Sequence, residues 1–361
     1  MTAHNPRDPH DPVHTPVIPA QPERSEATDT GGLPDLPILM SPKSAIPYSW
    51  WAPLLAGVAA GMVLRFLFSG VAGGKWSAMA GAFIYLSPLV VGALTVYVAE
   101  TRERRTWGYY LWAPFASNCL YVLGTLLIMV EGLICAIVII PMFAFLGALG
   151  GLLMGVVCRM TNWPRQTFYG LALMPLVFGA LGDYLPDPTV LSDVQRSTMV
   201  HAAPEQVWAH LNHTTNIKPE EFGATWAARI GVPMPLSGIT QSTPNGRVRV
   251  THWDKAVQFD EPITDWQPGR YVRWTYRFTP ASFPPHALDD HVLIGGHYFD
   301  LHDTSFTLTP VAQGTRLDVA VHYRVTTQFN FYADRVAQLL IGDMLDADLQ
   351  FYKNRSEAVG L

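Results

Sequence analysis

The sequence predicts a multi-pass α-helical membrane block followed by a soluble α+β domain. Two observations carry this reading. Only 15% of the 361 residues are charged against 49% hydrophobic, and residues 49–185 contain long runs with no charge while their flanks have the mix of a soluble protein. From about residue 192 the unbroken apolar runs give way to alternating, strand-like segments and one final amphipathic stretch. The length leaves room for two or three units of ordinary domain size.

Residues 1–47 hold ten prolines, three histidines (His4, His10, His14) and almost no aromatic side chains. Such a segment buries too little apolar surface to offset its chain entropy, so it is expected to be disordered. The histidine spacing matches no metal site. The segment also lacks the basic start and adjoining apolar core of a signal peptide.

Residues 48–185 form the hydrophobic block, where a spanning helix needs about 20 mostly apolar residues. Residues 50–70 qualify, with Arg65 placed near one end where it can snorkel. Residues 78–99 give a second span. The run 109–158 is long enough for two crossings, and Glu131-Gly132 is its only charged and flexible break, so the turn is expected there. Residues 168–184 make a shorter fifth span. Four spans with one re-entrant segment is the alternative.

Lys and Arg set the orientation. Arg102, Arg104 and Arg105 fall between the second and third spans, Arg159 and Arg165 between the fourth and fifth, and Lys75 alone serves the other connections. Positive charge marks the cytoplasmic side. The N-terminus of this cell (inner) membrane protein is therefore expected inside and the C-terminal domain outside, in the periplasm; losing one span would reverse that end.

Gly147, Gly151 and Gly155, like Gly57 and Gly61, recur every fourth residue and line one helix face with small side chains. Packing within the chain is the favoured reading and a homo-oligomer the other. The block has no chain of acids and bases such as a pump needs; Glu131 is the one candidate, and a turn at the membrane surface accounts for it. Cys119, Cys135 and Cys158 all lie in this block and form neither a CxxC site nor a disulfide framework.

The soluble domain spans residues 192–358. A strand over 193–201 runs into Ala203-Pro204-Glu205-Gln206-Val207-Trp208, where proline suits the first helical turn and glutamate the helix dipole. After a Gly- and Pro-rich stretch, residues 247–252 alternate Val248 and Val250 against Arg247 and Arg249. Pro268-Gly269 marks a turn, after which Val272, Trp274, Tyr276 and Phe278 share a face opposite Tyr271, Arg273, Thr275 and Arg277. Residues 305–309 and 315–325 form a hairpin across Gln313-Gly314, with Leu317, Val319, Val321 and Tyr323 on one side. A helix over 330–357 closes the chain, carrying Val336, Leu340, Met344 and Phe351 on one stripe.

This order of elements, the Val200-His201-Ala202-Ala203-Pro204-Glu205-Gln206-Val207-Trp208 passage, the Trp266-Gln267-Pro268-Gly269-Arg270-Tyr271-Val272 turn and the long last helix resemble the START-like (SRPBCC, helix-grip) superfamily, which includes polyketide cyclase/dehydrase relatives. The resemblance covers less than half of the chain. It implies a curved antiparallel sheet wrapped around the terminal helix, with an apolar cavity for lipids, polyketides or other hydrophobic molecules between them. The residues expected to line that cavity are Val250, His252, Trp274, Tyr276, Phe278, His297, Phe306 and Met344. Filling a packed core is the competing role for each. Residues 280–296 read as an insertion, either a lid over the cavity mouth or an ordinary loop.

The densest group of chemistry-bearing residues is His286, Asp289, Asp290, His291, His297, Asp300, His302 and Asp303. Imidazole and carboxylate together can bind zinc or move protons, but no pair has a helical metal-site spacing. His252 and His322 sit on strands, where lining a pocket and bonding locally are the two readings and the second is favoured for each taken alone. The soluble domain has no G-x-S-x-G, no nucleotide-binding glycine loop and no cysteine, so no cofactor or metal is expected. The net charge of −5 gives no basic stripe for nucleic acid. The expected partners are membrane lipids and a hydrophobic small molecule. The expected function is a membrane-anchored START-like module that binds a lipid or other hydrophobic small molecule next to the bilayer; the alternatives are a polyketide cyclase- or dehydratase-like enzyme and a membrane sensor or assembly protein.

Overall fold

Helices form where the apolar runs predict them. The computed structural model describes residues 51–161, 165–182 and 186–358. In order come α1 (Ala52–Leu67), a π-helical turn (Ala82–Leu86) that continues into α2 (Ser87–Glu100), α3 (Trp107–Leu127), α4 (Leu133–Met160) and α5 (Arg165–Ala180). Three of these helical units, Ala82–Glu100, Trp107–Leu127 and Leu133–Met160, are long and apolar enough to cross a membrane, whereas α1 and α5 are apolar but shorter. The turn between α3 and α4 holds Glu131 and Gly132, where the break in hydropathy places it. The N-terminal tail with its histidines, and the side chain of Arg165, lie outside the described residues.

The glycine faces are used inside the chain. A Cβ on Gly92 would stand 1.9 Å from the Gly147 carbonyl oxygen, and one on Gly150 would stand 2.2 Å from that of Leu89. Backbone therefore touches backbone between α2 and α4. Gly151 and Gly155 take the side chains of Pro114 and Tyr110, and Gly61 lies under the Tyr121 ring. These faces are occupied by side chains and backbone of the same chain.

Immediately after α5 the chain enters an eight-stranded antiparallel sheet of order β1-β8-β7-β6-β5-β4-β3-β2. The strands are β1 (Thr189–Val200), β2 (His213–Thr214), β3 (Pro235–Thr243), β4 (Gly246–Trp253), β5 (Gln258–Gln267), β6 (Tyr271–Thr275), β7 (Phe299–Val311) and β8 (Gly314–Thr326). Short helices α6 (Pro204–Asn212), α7 (Pro219–Phe222) and α8 (Trp226–Arg229) link β1 to β3, and α9 (Asn330–Ala358) ends the described chain. Irregularities at Ile263/Asp265 and Leu301/Asp303 bend the sheet. The curved sheet packs on α9: Leu345, Leu349, Phe351 and Tyr352 share one core with Val272, Trp274, Phe306, Leu317, Val319 and Val321.

Most of the expected register holds. Leu317, Val319, Val321 and Tyr323 are all buried, and the Pro268-Gly269 turn and the Gln313-Gly314 hairpin stand where expected. Three details differ. β1 begins at Thr189, earlier than the expected 193, so little linker separates it from α5. β6 ends at Thr275, so Tyr276 and Phe278 follow the strand rather than belong to it. On β4 the parity is inverted in chemical terms, because Arg249 and Thr251 are buried while His252 is exposed. The cause is cross-strand: Arg249 stands directly opposite Glu261 of β5, and the pair satisfies itself on the inner face.

The α+β part is fastened to one end of the helical block. The Tyr298 hydroxyl meets Ser77 Oγ at 2.6 Å and accepts from the Gly73 amide at 2.8 Å. The Gly132 amide donates to Asp289 Oδ2 at 2.6 Å, and Phe329 inserts into the apolar cluster of the block. These contacts use the α1–α2 and α3–α4 ends. Arg159 lies at the far end of α4, about 40 Å away at 1.5 Å per residue.

Candidate functional site: a cavity shared by the sheet and the helical block

A cavity of about 330 Å³ lies between the sheet and α9 and continues into the helical block. Trp274, Tyr276, Thr304, Phe306 and Val321 form its sheet wall, and Val336, Leu340, Met344, Asp348 and Tyr352 its α9 wall. Phe83, Ile84, Tyr121, Val138 and Phe143 supply the part that belongs to the helices. Leu288, His291, Val292 and Ile294 of the 280–296 insertion line it as well. That segment is thus part of the cavity wall, clamped to the α3–α4 turn.

The lining is mostly apolar, with two polar stations. At the first, Arg249 Nη1 donates to Glu261 Oε2 at 2.5 Å and to Thr251 Oγ1 at 3.3 Å, while Thr251 Oγ1 donates to Glu261 Oε2 at 3.0 Å. Arg249 Nη2 reaches the Tyr352 hydroxyl at 3.4 Å, and the guanidinium lies 5.1 Å from the Trp274 ring centroid. Burial would lower the Arg249 pKa, but the Glu261 carboxylate outweighs it and holds the guanidinium charged.

Asp348 completes this station from α9. Burial pushes its pKa up to about 7, with Arg249 opposing and Glu261 adding to the rise. Its carboxyl takes no hydrogen bond from any described residue, and its remaining accessible surface faces the cavity. The Tyr276 and Thr304 hydroxyls, 2.5 Å apart, stand on the opposite wall.

The second station sits at the junction with the helices. Arg65 Nε donates to Glu131 Oε1 at 2.5 Å, and His291 Nε2 lies 3.6 Å from Glu131 Oε2. Glu131, Cys135 and Asp289 bring ligand atoms within 4.8 Å of one another. Both carboxylates are already engaged, Glu131 by Arg65 and Asp289 by the amides of Gly132 and His291. The trio joins two parts of the fold and offers a metal no uncommitted carboxylate.

Of the eight residues expected to line the cavity, Trp274, Tyr276, Phe306 and Met344 do so. Val250 and His252 lie on the other face of β4, because Arg249 and Thr251 take the inner one. Phe278 packs in a neighbouring aromatic cluster with Phe259 and Phe283. His297 is exposed, with Nε2 3.2 Å from Asp187 Oδ2. The histidine–aspartate group disperses likewise. Asp289 and His291 go to the junction, while Asp303 lies on the outer face, bound by Arg273 at 2.8 and 3.0 Å and by His322 Nδ1 at 3.0 Å.

Arg249, Glu261 and Asp348 are absent from the expected set. One signal for Asp348 was legible: Met344, Asp348 and Tyr352 recur every fourth residue, which puts a carboxylate on the buried stripe of α9.

No family model matches the sequence, and no curated protein matches it either. Among solved structures, a protein from Nitrosomonas europaea aligns at 13% identity over 46% of this chain and 96% of its own, with a TM-score of 0.27. The ZhuI aromatase/cyclase of a Streptomyces species aligns at 13% identity over 48% and 97%, with a TM-score of 0.30. Norcoclaurine synthase of Thalictrum flavum aligns at 10% identity over 48% and 99%, also at 0.30. The C-terminal domain resembles the START-like superfamily. Its own topology carries that likeness: a bent antiparallel sheet closed by a long last helix, with β1 running into α6 at Ala203-Pro204. Here the cavity is bounded also by helices that precede the sheet in the chain.

Proposed function

We propose that the chain is a membrane-anchored START-like module that holds a lipid or other hydrophobic small molecule next to the bilayer. The observation that carries this reading is the continuity of the cavity from the sheet–α9 interior to Phe83, Ile84, Tyr121 and Phe143 of the helical block. The apolar lining within the helices suits a ligand that partitions into the membrane. The helices serve as the membrane anchor, with α1 and α5 completing the three longer ones in a multi-pass arrangement. The domain, docked at the ends remote from Arg159, faces away from the cytoplasm.

A mostly apolar lining favours binding over a cyclase- or dehydratase-like reaction. The His291–Glu131 pair, at 3.6 Å, is too long for the hydrogen bond that an acid–base couple uses. An open cavity, rather than a fully packed core, disfavours a purely structural sensor or assembly role.

The test is native mass spectrometry of the full chain released from detergent, with extraction of whatever copurifies. A stoichiometric hydrophobic molecule, lost when Leu340→Trp fills the cavity, is expected. A clean chain that also takes up no added lipid would overturn the reading. Reporter fusions after α9 test the orientation, which fails if they are active only in the cytoplasm.

A further inference from the structure

The charge balance and hydrogen-bond vacancies of the first polar station narrow the ligand class. Arg249 is the only cation at this station, and its charge is matched by Glu261 at 2.5 Å on the neighbouring strand. A carboxylate or phosphate head would therefore meet an arginine whose charge is already paired and whose Nε alone is unpartnered, flanked by the carboxyls of Glu261 and Asp348. A cationic head would have to sit beside the buried Arg249 guanidinium. Burying a charge without a free counter-charge is strongly unfavourable; an anion finds none here, and a cation finds only Asp348, a carboxyl that burial disfavours in its charged form, so both ionic classes are penalised.

An uncharged oxygen faces no such penalty. Asp348 lines the cavity and takes no hydrogen bond from any described residue, so its carboxyl is an open polar group of the wall, beside the unpartnered Trp274 Nε1 and Arg249 Nε. Near neutral pH, where burial keeps a large share of this carboxyl protonated, it offers one O–H donor and retains acceptor capacity. Around it the lining is hydrocarbon and aromatic. The volume of about 330 Å³ stands at the lower end of small-molecule pockets, roughly 300–1,000 Å³, which suits one chain or a fused ring system better than a two-chain phospholipid.

We propose that the cavity takes an uncharged apolar molecule carrying a carbonyl or hydroxyl oxygen, with that oxygen bonded to Asp348 and the apolar remainder directed toward Phe83, Ile84 and Phe143 of the helical block. This rests on reading the cavity as a ligand site, and it adds the class of ligand that the site selects.

The experiment uses the full chain in lipid nanodiscs and four photoreactive probes that share one mid-chain diazirine alkyl and differ only at the end: methyl ketone, carboxylate, primary amine and plain hydrocarbon. After irradiation, labelled peptides from β6, β7 and α9 are counted by mass spectrometry. The ketone is expected to label them about tenfold more than the hydrocarbon, the ratio of one net hydrogen bond. Asp348→Leu is expected to bring the ketone down to the hydrocarbon level while hydrocarbon labelling persists, which also reports that the variant is folded. Strongest labelling by the carboxylate or the amine, or equal labelling by all four, would overturn the inference and leave the cavity a ligand site. If none of the four labels the cavity, the ligand-site reading falls with it.

Discussion

The hydroxyl of Tyr332, in the first turn of α9, donates to the Val138 carbonyl of α4 across 2.6 Å. The helix gripped by the sheet is thus also bolted to a helix of the apolar block. Tyr332→Phe removes this bond and leaves the Val138 carbonyl to its helical partner alone. The expected loss is about 1 kcal/mol, with faster amide exchange confined to the first two turns of α9. Hydrogen-exchange mass spectrometry checks this, and unchanged exchange would mean that α9 does not depend on the contact.

Glu131→Gln tests the junction. It strands Arg65, whose side chain is only 8% exposed, without its counter-charge. Breaking a buried pair from one side costs about 3–5 kcal/mol, read as lowered thermal stability in detergent. Replacing both partners by methionine is expected to recover most of that loss, because no orphaned charge remains. A double variant as unstable as the single one would argue that the pair itself holds the 280–296 segment in place.

Gly92→Ala tests the backbone contact between α2 and α4. The added methyl would fall 1.9 Å from the Gly147 carbonyl oxygen, which cannot rotate away. The two helices must separate, at an expected cost of several kcal/mol, on the order of other overpacked cores. Gly170→Ala, with nothing within 4 Å of the new methyl, is the matched control and should leave the unfolding temperature unchanged or raise it. Equal behaviour of the two variants would show that α2 and α4 have room to move apart.

Asp348 sets a pH dependence whose sign is fixed by its environment. Its folded pKa, near 7, lies above the ordinary aspartate value of 3.8. Between those pH values the folded chain binds more protons than the unfolded one. This group's contribution to stability therefore falls as pH rises from about 4 to 7 and stays low above that. Asp348→Asn removes the titration. The variant should gain on the parent across that window, by at most about 4 kcal/mol at pH 8. Parallel curves for the two proteins would show that water in the cavity keeps the carboxylate solvated.

Much of the fold was legible because long periodic runs leave few alternatives. The break at Glu131-Gly132, the four-residue spacing of the glycines and the Val272/Trp274 face all reappear in place. The candidate site was legible only in part, and the reason is register. Alternation along β4 separates its valines from its arginines without saying which set faces inward. The inner face goes to Arg249 because Glu261, twelve residues away, stands opposite it on β5. Asp303 faces outward for a similar reason: the irregularity at Leu301/Asp303 gives β7 an extra residue and shifts the parity that follows. The helical contribution of Phe83 and Ile84 to the cavity had no local signal, since any span is apolar throughout.

The shared wall of the cavity also limits how this protein can be taken apart or inherited. A chain begun at β1 would keep the sheet and α9 yet lose Phe83, Ile84, Tyr121 and Phe143 from the lining, leaving apolar surface open to water where the pocket had been closed. A change in bulk at Phe83 or Phe143 calls for an answering change at Phe329, Ile294 or Leu340, so the shape of the cavity is written jointly by the helices and the sheet.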